Sequence, residues 1–283
     1  MTRKPTIVFA PGAWHSPDSF RLVRNALQAR GWETDAVTYP SVGAEPPTKE
    51  IPDDAAALRN VLNDLANQGK QIVLVVHSYG GLVGANAVPG LGYEQRQEEG
   101  KAGGIVAFLY LAAFVTLVGQ SILKLLGGRW LPLMRVEVRS VESTTDSKTP
   151  AQHPLVHREP WLNCRSCTQG SYVFADTPEE VFYHDVPLDL QKEAAAALTH
   201  KCVRAWTDEV DYEPWHDMHC LYFVCEEDRA VPAAVQEQMA QILGPDSVIF
   251  RSRTSHSPFL SAVQDVVDGV EKAAHSGQMR VQL

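Results

Sequence analysis

The chain has 283 residues, of which 45% are hydrophobic, and it carries a net charge of −9 at pH 7. This length can bury a large core, either as one sizeable domain or as a domain with an insertion. The negative charge and the lack of a basic stripe argue against nucleic acid or an anionic membrane as the main partner, because both bind clustered Lys and Arg side chains.

The N-terminal segment, the cysteines and the longest apolar stretch favour a cytoplasmic location without a membrane span. Only a handful of apolar residues precede Pro11, too few for the core of a secretory signal. Five scattered cysteines, an odd number, do not predict a disulfide framework. Residues 105–123 are almost wholly apolar and long enough to cross a bilayer. Because Gly, Gln and Ser interrupt them, a buried strand that runs into a loop is the preferred interpretation.

Strands and helices alternate over the first 112 residues. Apolar and β-branched runs bounded by turn residues predict strands at residues 6–10, 33–39, 72–76 and 105–112. Apolar residues at helical spacing predict helices that start near residues 17, 53 and 82, with Ser16 and Pro17 suited to the first helix start. Surface loops are predicted at residues 41–52 and 93–104. This alternation predicts a mostly parallel sheet with helices on both faces.

The alternation stops between about residues 115 and 201 and then resumes. In the interrupted part we expect an apolar, partly helical stretch at residues 119–133, a polar loop at 140–157, and helices near 178–182 and 188–198. After it we expect strands at residues 218–225 and 247–250 and helices at 232–243 and 259–274. The sequence therefore predicts an α/β core made of residues 1–115 and 201–283, with an inserted, mainly helical lid at residues 116–200.

The stretch of residues 72–81, IVLVVHSYGG, carries the main functional signal. An apolar run ends in Ser78, and two glycines and a helix-like segment follow. This pattern predicts a nucleophile elbow, in which a strained turn between strand and helix exposes the serine hydroxyl above the sheet. A serine hydroxyl is a weak nucleophile alone, so the interpretation requires a histidine, a carboxylate and an oxyanion hole elsewhere.

Candidates for the base and the acid follow two of the later strands. Asp228 lies in the loop after the strand predicted to end near residue 225, and His256 lies in the loop after the last predicted strand. Both loops belong to the carboxyl edge of the sheet, where sites assemble in open α/β folds. Glu226 and Glu227 compete with Asp228 for the role of the acid. The chain order is therefore serine, acid, histidine.

These features together resemble the α/β-hydrolase superfamily. They are similar to its compact branch, which holds plant methyl-salicylate-type esterases, hydroxynitrile lyases and many fungal hydrolases. Residues 11–15, Pro-Gly-Ala-Trp-His, are similar to the branch's oxyanion signature His-Gly-Ala-Trp-His. Two departures stand out, because Pro11 replaces the first histidine and Val76 replaces the usual first glycine of the elbow. The resemblance covers nearly the whole chain outside the lid.

The resemblance and the chemistry imply a role for each residue. Ser78 would attack an acyl carbon, His256 would take and return the proton, and Asp228 would hold the imidazole. The backbone N–H groups of Ala13 and Tyr79 would form the oxyanion hole. We expect no cofactor and no resident metal.

Three further features remain open in the sequence. Trp14 and His15 either line the substrate pocket or only pack within their loop. His77, just before the serine, is interpreted as a packing residue. The polar part of the lid holds two histidines and two cysteines that could bind zinc or could simply be unrelated pairs, namely His153, His157, Cys164 and Cys167.

Three functions from different classes fit the sequence. The first is a serine hydrolase that cleaves an ester, thioester or lactone of a small, largely apolar molecule. The second is a non-hydrolytic enzyme on the same triad, such as a lyase, a carbon–carbon bond-cleaving enzyme or a cyclase of secondary metabolism. Arg229 weakens the lyase, because the hydroxynitrile lyases of this branch typically carry lysine after the acid. The third is a non-catalytic binding protein with a relic triad, and the intact Ser, His and Asp argue against it. A homodimer is left open.

Overall fold

The structure is a computed structural model that describes residues 4–138, 171–245 and 247–281. Its strands are β1 (Thr6–Ala10), β2 (Thr34–Ala36), β3 (Gln71–His77), β4 (Gly104–Leu111), β5 (Met134–Val138), β6 (Ser171–Ala175), β7 (Lys201–Cys202), β8 (Cys220–Cys225) and β9 (Ile249–Ser252). Its helices are α1 (Arg21–Ala29), α2 (Ile51–Asn67), α3 (Gly80–Ala87), α4 (Tyr93–Glu98), α5 (Ile122–Leu125), α6 (Pro178–Val181), α7 (Leu188–Ala196), α8 (Arg204–Thr207), α9 (Ala233–Ile242), α10 (Pro258–Ser261) and α11 (Val263–Arg280). Short 3₁₀ helices lie at Pro17–Phe20 and Pro214–His216.

Six of the strands form one sheet whose neighbours all pair in parallel, in the order β2-β1-β3-β4-β8-β9. The predicted, mostly parallel sheet is thereby confirmed. Because the strands are parallel, their carboxyl ends share one edge. The chain moves from β1 outward to β2 and then returns to place β3 on the other side of β1, which makes a topological switch point between β1 and β3. Open α/β sheets bind ligands at such a point.

Helices cover both faces of this sheet. On one face α2 and α3 pack against alternate residues of β1 and β3, and on the other face α1 and α11 pack against the residues between them. Because β3 and β4 are buried on both faces, their sequences are nearly continuous apolar runs rather than alternating ones. The apolar stretch at residues 105–123 is therefore explained by β4, by the buried first part of the loop after it (residues 112–116) and by the start of α5, while Leu117 and Val118 are exposed. No helix in the described ranges is long and apolar enough to cross a membrane.

The loop predicted at residues 93–104 is wrong in its first half, where α4 forms. Arg96 explains the difference, because its side chain is buried although the segment around it is polar. Its guanidinium donates hydrogen bonds to the Gly103 oxygen at 3.2 Å and to the Ala102 oxygen at 3.0 Å. These bonds join the helix to the loop before β4, a tertiary effect that composition does not reveal.

A second, antiparallel sheet lies between β4 and β8 in the chain, in the order β5-β6-β7. We call it the small sheet. The prediction of a mainly helical insertion missed it, although α5, α6 and α7 lie in the same segment. The third strand is only two residues long, and Lys201 pairs with Val173 of β6. The four residues considered for zinc, and the loop at 140–157, lie outside the described residues.

Candidate active site

Ser78 lies at the turn between β3 and α3 and is partly exposed. Its φ is +52°, in the left-handed region that a non-glycine residue adopts only at a cost in free energy. Its carbonyl oxygen accepts hydrogen bonds from the Gly81 N–H at 3.0 Å and the Phe114 N–H at 3.1 Å, and its own N–H donates to the Leu111 oxygen at 3.4 Å. These bonds hold the strained backbone in the strand–turn–helix geometry that a nucleophile elbow requires.

Two glycines of α3 explain how the turn is so tight. A Cβ on Gly81 would collide with the Phe114 carbonyl oxygen. A Cβ on Gly84 would lie 2.8 Å from Val76 Cγ1 and 2.7 Å from Phe108 Cζ, closer than real Cβ contacts. Gly84 therefore leaves the space that the valine at the usual glycine position of the elbow occupies.

His256 and Asp228 are brought together at the carboxyl edge of the sheet. The Nδ1 atom of His256 lies 2.6 Å from Asp228 Oδ2, and both side chains are buried. Because the carboxylate is an acceptor, this bond puts the imidazole proton on Nδ1 and leaves Nε2 able to accept one. The competing acids do not reach the histidine: Glu226 and Glu227 are exposed, and Glu227 pairs with Arg253 at 3.0 Å.

The Asp228 carboxylate is fixed by its own loop and by α9. Its Oδ1 accepts hydrogen bonds from the backbone N–H groups of Ala230 at 2.7 Å and Val231 at 2.9 Å. Its Oδ2 accepts a third from Gln236 Nε2 at 2.9 Å. The fully buried Gln236 amide also donates to the Val231 oxygen and accepts from the Cys225 N–H. The acid is therefore held in one orientation before any substrate binds.

His77 supports the same histidine from behind. Its Nε2 lies 2.9 Å from the His256 carbonyl oxygen, so this nitrogen donates, and the two ring centroids are 4.6 Å apart. Burial holds the pKa of His77 well below its ordinary value, and the nearby His256 adds to that effect. His77 is therefore neutral, and it fixes the backbone of the residue proposed as the base.

The two residues proposed for the oxyanion hole follow β1 and β3, on either side of the switch point. Ala13 and Tyr79 are both buried. Within the described ranges neither backbone N–H donates a hydrogen bond to another group of the protein. A buried N–H without a partner is uncommon in folded proteins because it costs free energy. Two such donors beside the elbow are suited to bind an anionic oxygen.

Trp14 is buried, and its contacts are with the segment between β4 and β8. The indole N–H donates to the Val173 oxygen at 2.8 Å. The ring packs against Phe182 and Trp206, with centroids 5.8 Å and 5.2 Å away. Its φ of +66° is a second left-handed conformation close to the site. A role in the substrate pocket stays a prediction.

His15 is also buried and has both ring nitrogens bonded. Its Nδ1 donates to the Ala13 oxygen at 2.6 Å, and its Nε2 accepts from the Tyr183 hydroxyl at 2.8 Å. Burial lowers the pKa of His15 to about 4, although the bond to the Ala13 carbonyl opposes that change. His15 is thus a neutral group that orients the loop of the proposed oxyanion hole, and its place in the substrate pocket stays a prediction.

Sequence reasoning missed the supporting residues. Gln236 could have been found as a polar residue on the buried face of α9, three residues before Met239. His77 was interpreted only as a packing residue. A buried ion pair between Asp54 and Lys201, which contacts Tyr79, had no local signal because its members are 147 residues apart.

The chain matches known proteins along nearly its whole length. The sequence model of the Alpha/beta hydrolase family matches residues 7–269. The Alpha/beta hydrolase nvfD of Aspergillus novofumigatus is 27% identical over 271 residues, which are 96% of this chain and 97% of that protein.

Solved structures give the same fold. Polyneuridine aldehyde esterase superposes with a TM-score of 0.70 at 13% identity, over 95% of this chain and 99% of that one. Tomato methylketone synthase I, solved with 2-tridecanone, superposes with a TM-score of 0.69 at 15% identity, over 97% of this chain and 99% of that one. At these identities the likeness concerns the fold alone.

Proposed function

Because the chain belongs to the α/β-hydrolase family, we propose that it is a serine hydrolase that cleaves an ester, thioester or lactone of a small, largely apolar molecule. The observation that carries the proposal is the buried 2.6 Å contact between His256 Nδ1 and Asp228 Oδ2. Their loops follow β9 and β8 at the same edge of the sheet as the strained turn at Ser78. Serine, acid and histidine stand in the chain order of the family.

The proposed reaction follows from these groups. The Ser78 hydroxyl attacks the acyl carbon while His256 Nε2 takes its proton, and Asp228 stabilises the imidazolium that forms. The tetrahedral intermediate collapses to an acyl-enzyme, and His256 returns the proton to the leaving alcohol or thiol. Water then attacks the acyl-enzyme with the same histidine as base, which releases the acid and restores the serine.

The N–H groups of Ala13 and Tyr79 would bind the oxygen that becomes negative in each tetrahedral intermediate. Losing one such donor typically raises the barrier by about 2.7–4 kcal/mol. The two donors lie on different loops, so the hole exists only while both loops keep their positions.

Residues 116–200 are proposed to be the lid, and Trp14 and His15 are proposed to lie against the substrate. An apolar substrate is supported by the aromatic side chains of Phe182 and Trp206, which pack against Trp14, next to the proposed oxyanion residue Ala13. The names of the fold relatives agree, since one is an esterase and another was solved with an apolar ketone. A cytoplasmic location is part of the same proposal.

A fluorophosphonate probe tests the proposal, because it reacts with a serine only when a base activates it. We expect labelling of the wild-type protein at Ser78 and its loss in Ser78→Ala and His256→Ala. His275→Ala, which removes an exposed histidine of α11, is the matched control and should label like the wild type. A panel of short aryl esters, thioesters and lactones then identifies the acyl substrate.

Each outcome has a separate meaning. A wild-type protein that does not label, although it is folded, would contradict an activated serine. Labelling at Ser78 without turnover of any acyl substrate would favour the non-hydrolytic alternative on the same triad. The Arg229 side chain is exposed and donates to the Glu180 oxygen at 3.2 Å, a contact that gives the lyase alternative no support.

A further inference from the structure

A buried ion pair joins the small sheet to the core. Lys201 Nζ of β7 lies 3.1 Å from Asp54 Oδ2 of α2, and both side chains are fully buried. Removing two charges from water costs free energy that their attraction often does not recover, so burial of such a pair is poor evidence of a role in stability. The groups around the pair indicate a different role.

The Asp54 carboxylate connects three parts of the chain. Its Oδ2 accepts hydrogen bonds from the Ser41 hydroxyl at 2.5 Å, from the Tyr79 hydroxyl at 2.8 Å and from Lys201. Its Oδ1 accepts from the Ser41 N–H at 3.0 Å. Of these partners, Tyr79 directly follows the proposed nucleophile and would supply an oxyanion N–H.

Lys201 also contacts Tyr79 directly. Its ammonium nitrogen lies 3.4 Å from the centroid of the Tyr79 ring, and 5.4 Å from that of Tyr39. A cation over an aromatic face is attracted by the ring quadrupole, and more strongly when water is excluded. The Tyr79 side chain is thus held at its face by Lys201 and at its hydroxyl by Asp54, which fixes the backbone that carries its N–H.

The small sheet holds the other side of the proposed hole in the same way. Lys201 pairs in register with Val173, and the Val173 oxygen accepts the hydrogen bond from the Trp14 indole. The Thr199 N–H donates to the Trp14 oxygen at 3.3 Å. One pair of residues in this sheet therefore contacts both Trp14, next to Ala13, and Tyr79.

We propose that Lys201 is a positioning residue for the oxyanion hole, and that it acts through Asp54 and the Tyr79 side chain to keep the Tyr79 N–H aimed at the substrate oxygen. The proposal rests on the proposed serine-hydrolase function. It predicts that the charge of Lys201 is required for kcat, because the hole matters most in the transition state.

The first test removes the charge and keeps the length of the side chain. Lys201→Met is compared with Lys192→Met, which makes the same change at an exposed lysine of α7. Each protein is assayed with an ester identified in the acyl-substrate panel and with the thionoester of the same acid. The hole binds an oxyanion better than the larger, weakly accepting sulfur, so an intact hole favours the oxygen ester.

We expect kcat for the oxygen ester to fall about 10- to 100-fold in Lys201→Met with KM nearly unchanged, since a 1 Å misplacement of a positioned group costs about 10²-fold. The preference for the oxygen ester should shrink, whereas a loss of folded protein would lower both rates equally. Lys192→Met should match the wild type in both measurements.

Lys201→Met leaves the Asp54 charge buried without its cation, so this variant is at risk of not folding. Two further variants test the proposal in that case. Asp54→Asn with Lys201→Met removes both charges, and Tyr79→Phe removes only the hydroxyl that bonds to Asp54. Both should retain the fold and show the same loss of oxygen-ester preference.

The pH profile of kcat gives an independent reading. Burial lowers the pKa of Lys201 to about 8, with Asp54 opposing that effect. The other titratable groups that face it stay neutral there, because burial raises the pKa of Cys202 to about 11 and those of Tyr39 and Tyr79 well above their ordinary values. We expect kcat to fall above about pH 8 in the wild type and this decline to be absent in Asp54→Asn with Lys201→Met.

The outcomes separate this proposal from the proposed function. Suppose that Ser78 is labelled by the probe and that the Lys201 variants keep the kcat and the ester preference of the wild type. This result would overturn the positioning role of Lys201 and leave the serine-hydrolase proposal intact. If the wild type neither labels nor turns over esters, hydrogen exchange at the Tyr79 amide decides: faster exchange in Lys201→Met than in Lys192→Met supports positioning, and equal exchange overturns it.

Discussion

Among the described residues, the Asp228 carboxylate accepts hydrogen bonds from four donors. Two backbone N–H groups face Oδ1, while His256 Nδ1 and Gln236 Nε2 face Oδ2. An ionised carboxylate satisfies all four, because each oxygen offers two acceptor sites. A side chain with an N–H or O–H of its own would place that donor against one of these four donors. Aspartate therefore suits this position by its hydrogen bonding as well as by its charge.

Asp228→Asn tests that selection. The NH₂ group of the new amide must face either the two backbone N–H groups or the side chains of His256 and Gln236. Where it faces His256, the clash of two donors is relieved only if the imidazole proton moves from Nδ1 to Nε2. In that tautomer the imidazole cannot accept the serine proton, so we expect kcat to fall on the order of 10³- to 10⁴-fold with the fold intact. Steady-state kinetics measure the effect. Glu227→Gln, an exposed neighbour, is the control, and an equal loss there would contradict the assignment.

Gln236 is expected to support stability and activity together. Gln236→Leu leaves the Cys225 N–H and the Val231 oxygen without partners in a buried place. An unsatisfied buried group typically costs about 1–3 kcal/mol, so we expect the free energy of unfolding to fall by at least that amount and kcat to fall as Asp228 loses a donor. Urea denaturation measures the first effect. Gln238→Leu, on the exposed side of α9, should change neither.

The residues that could be predicted from sequence are those with a local signature. Ser78 follows an apolar strand and precedes glycines, and Asp228 and His256 follow strands in a known order. Their supports have no such signature. Gln236 and Lys201 matter because of partners that the fold brings near them, and Asp54 is 147 positions from its lysine. Polar residues in buried positions of a helix or strand are the feature that could direct a search for them.

At the scale of elements, α3 and β3 show how a departure from a motif is compensated. Valine stands where the elbow usually has glycine, and its Cγ1 is adjacent to a glycine one turn into the following helix. The glycine that allows the strand and the helix to approach closely is therefore found in the helix, at Gly84, and not in the strand. A motif search confined to the residues flanking the serine overlooks this exchange.

Gly84→Ala should therefore destabilise the protein, although alanine is normally favoured over glycine within a helix by about 1 kcal/mol. The added methyl meets Val76 Cγ1 and Phe108 Cζ, and overpacking of this kind costs about 1–3 kcal/mol. In the double variant Val76→Ala with Gly84→Ala, the loss should be smaller than the sum of the single losses by about 1 kcal/mol.

Thermal or urea unfolding of the four proteins gives this coupling. Val73→Ala, on the opposite face of β3, is the matched control, because its loss should add to that of Gly84→Ala without interaction. If the losses of unfolding free energy in Val76→Ala and Gly84→Ala also add without interaction, Gly84 does not accommodate the Val76 side chain.

The elements of the small sheet were beyond sequence reasoning for a related reason. β7 has two residues, and the paired residues of β6 and β7 are 28 and 30 positions apart, so neither periodicity nor length marks these strands. The inner strands β1, β3, β4 and β8 were predicted well because burial on both faces turns them into continuous apolar runs. The partly exposed edge strand β9 lies two residues later than predicted. The edge strand β2 is shorter than predicted, with three residues.

At the scale of the whole molecule, the strand order explains why a site forms where it does. The loop after β1 and the elbow after β3 diverge at the switch point, and the small sheet contacts residues on both sides of that gap. The alternation of strands and helices implied the large sheet. The contacts of the small sheet with Trp14 and Tyr79 could not be inferred from the sequence, because they depend on a few side chains whose partners are far away along the chain.

The stability of the whole molecule at low pH depends on histidines whose pKa is lowered by burial. Two of them, His15 and His77, lie beside the candidate site, and His219 lies at the opposite edge of the sheet, just before β8. Burial holds the pKa of His15 near 4 and that of His77 well below its ordinary value, and His219 is lowered as well. In the unfolded chain each has a pKa near 6.5. Between these values the unfolded chain binds more protons than the folded one, so acid favours unfolding.

The lowered pKa of His15 fixes the sign and the pH range of this effect. Its contribution to stability is fully present above about pH 6.5 and is lost as pH falls toward 4, and the difference between those values corresponds to roughly 3 kcal/mol. His15→Asn keeps a donor for the Ala13 oxygen but cannot titrate. We therefore expect its free energy of unfolding to fall less steeply than that of the wild type between pH 6.5 and 4. His275→Asn, at an exposed site, should follow the wild-type curve, and parallel curves for all three proteins would mean that His15 is not held neutral by burial.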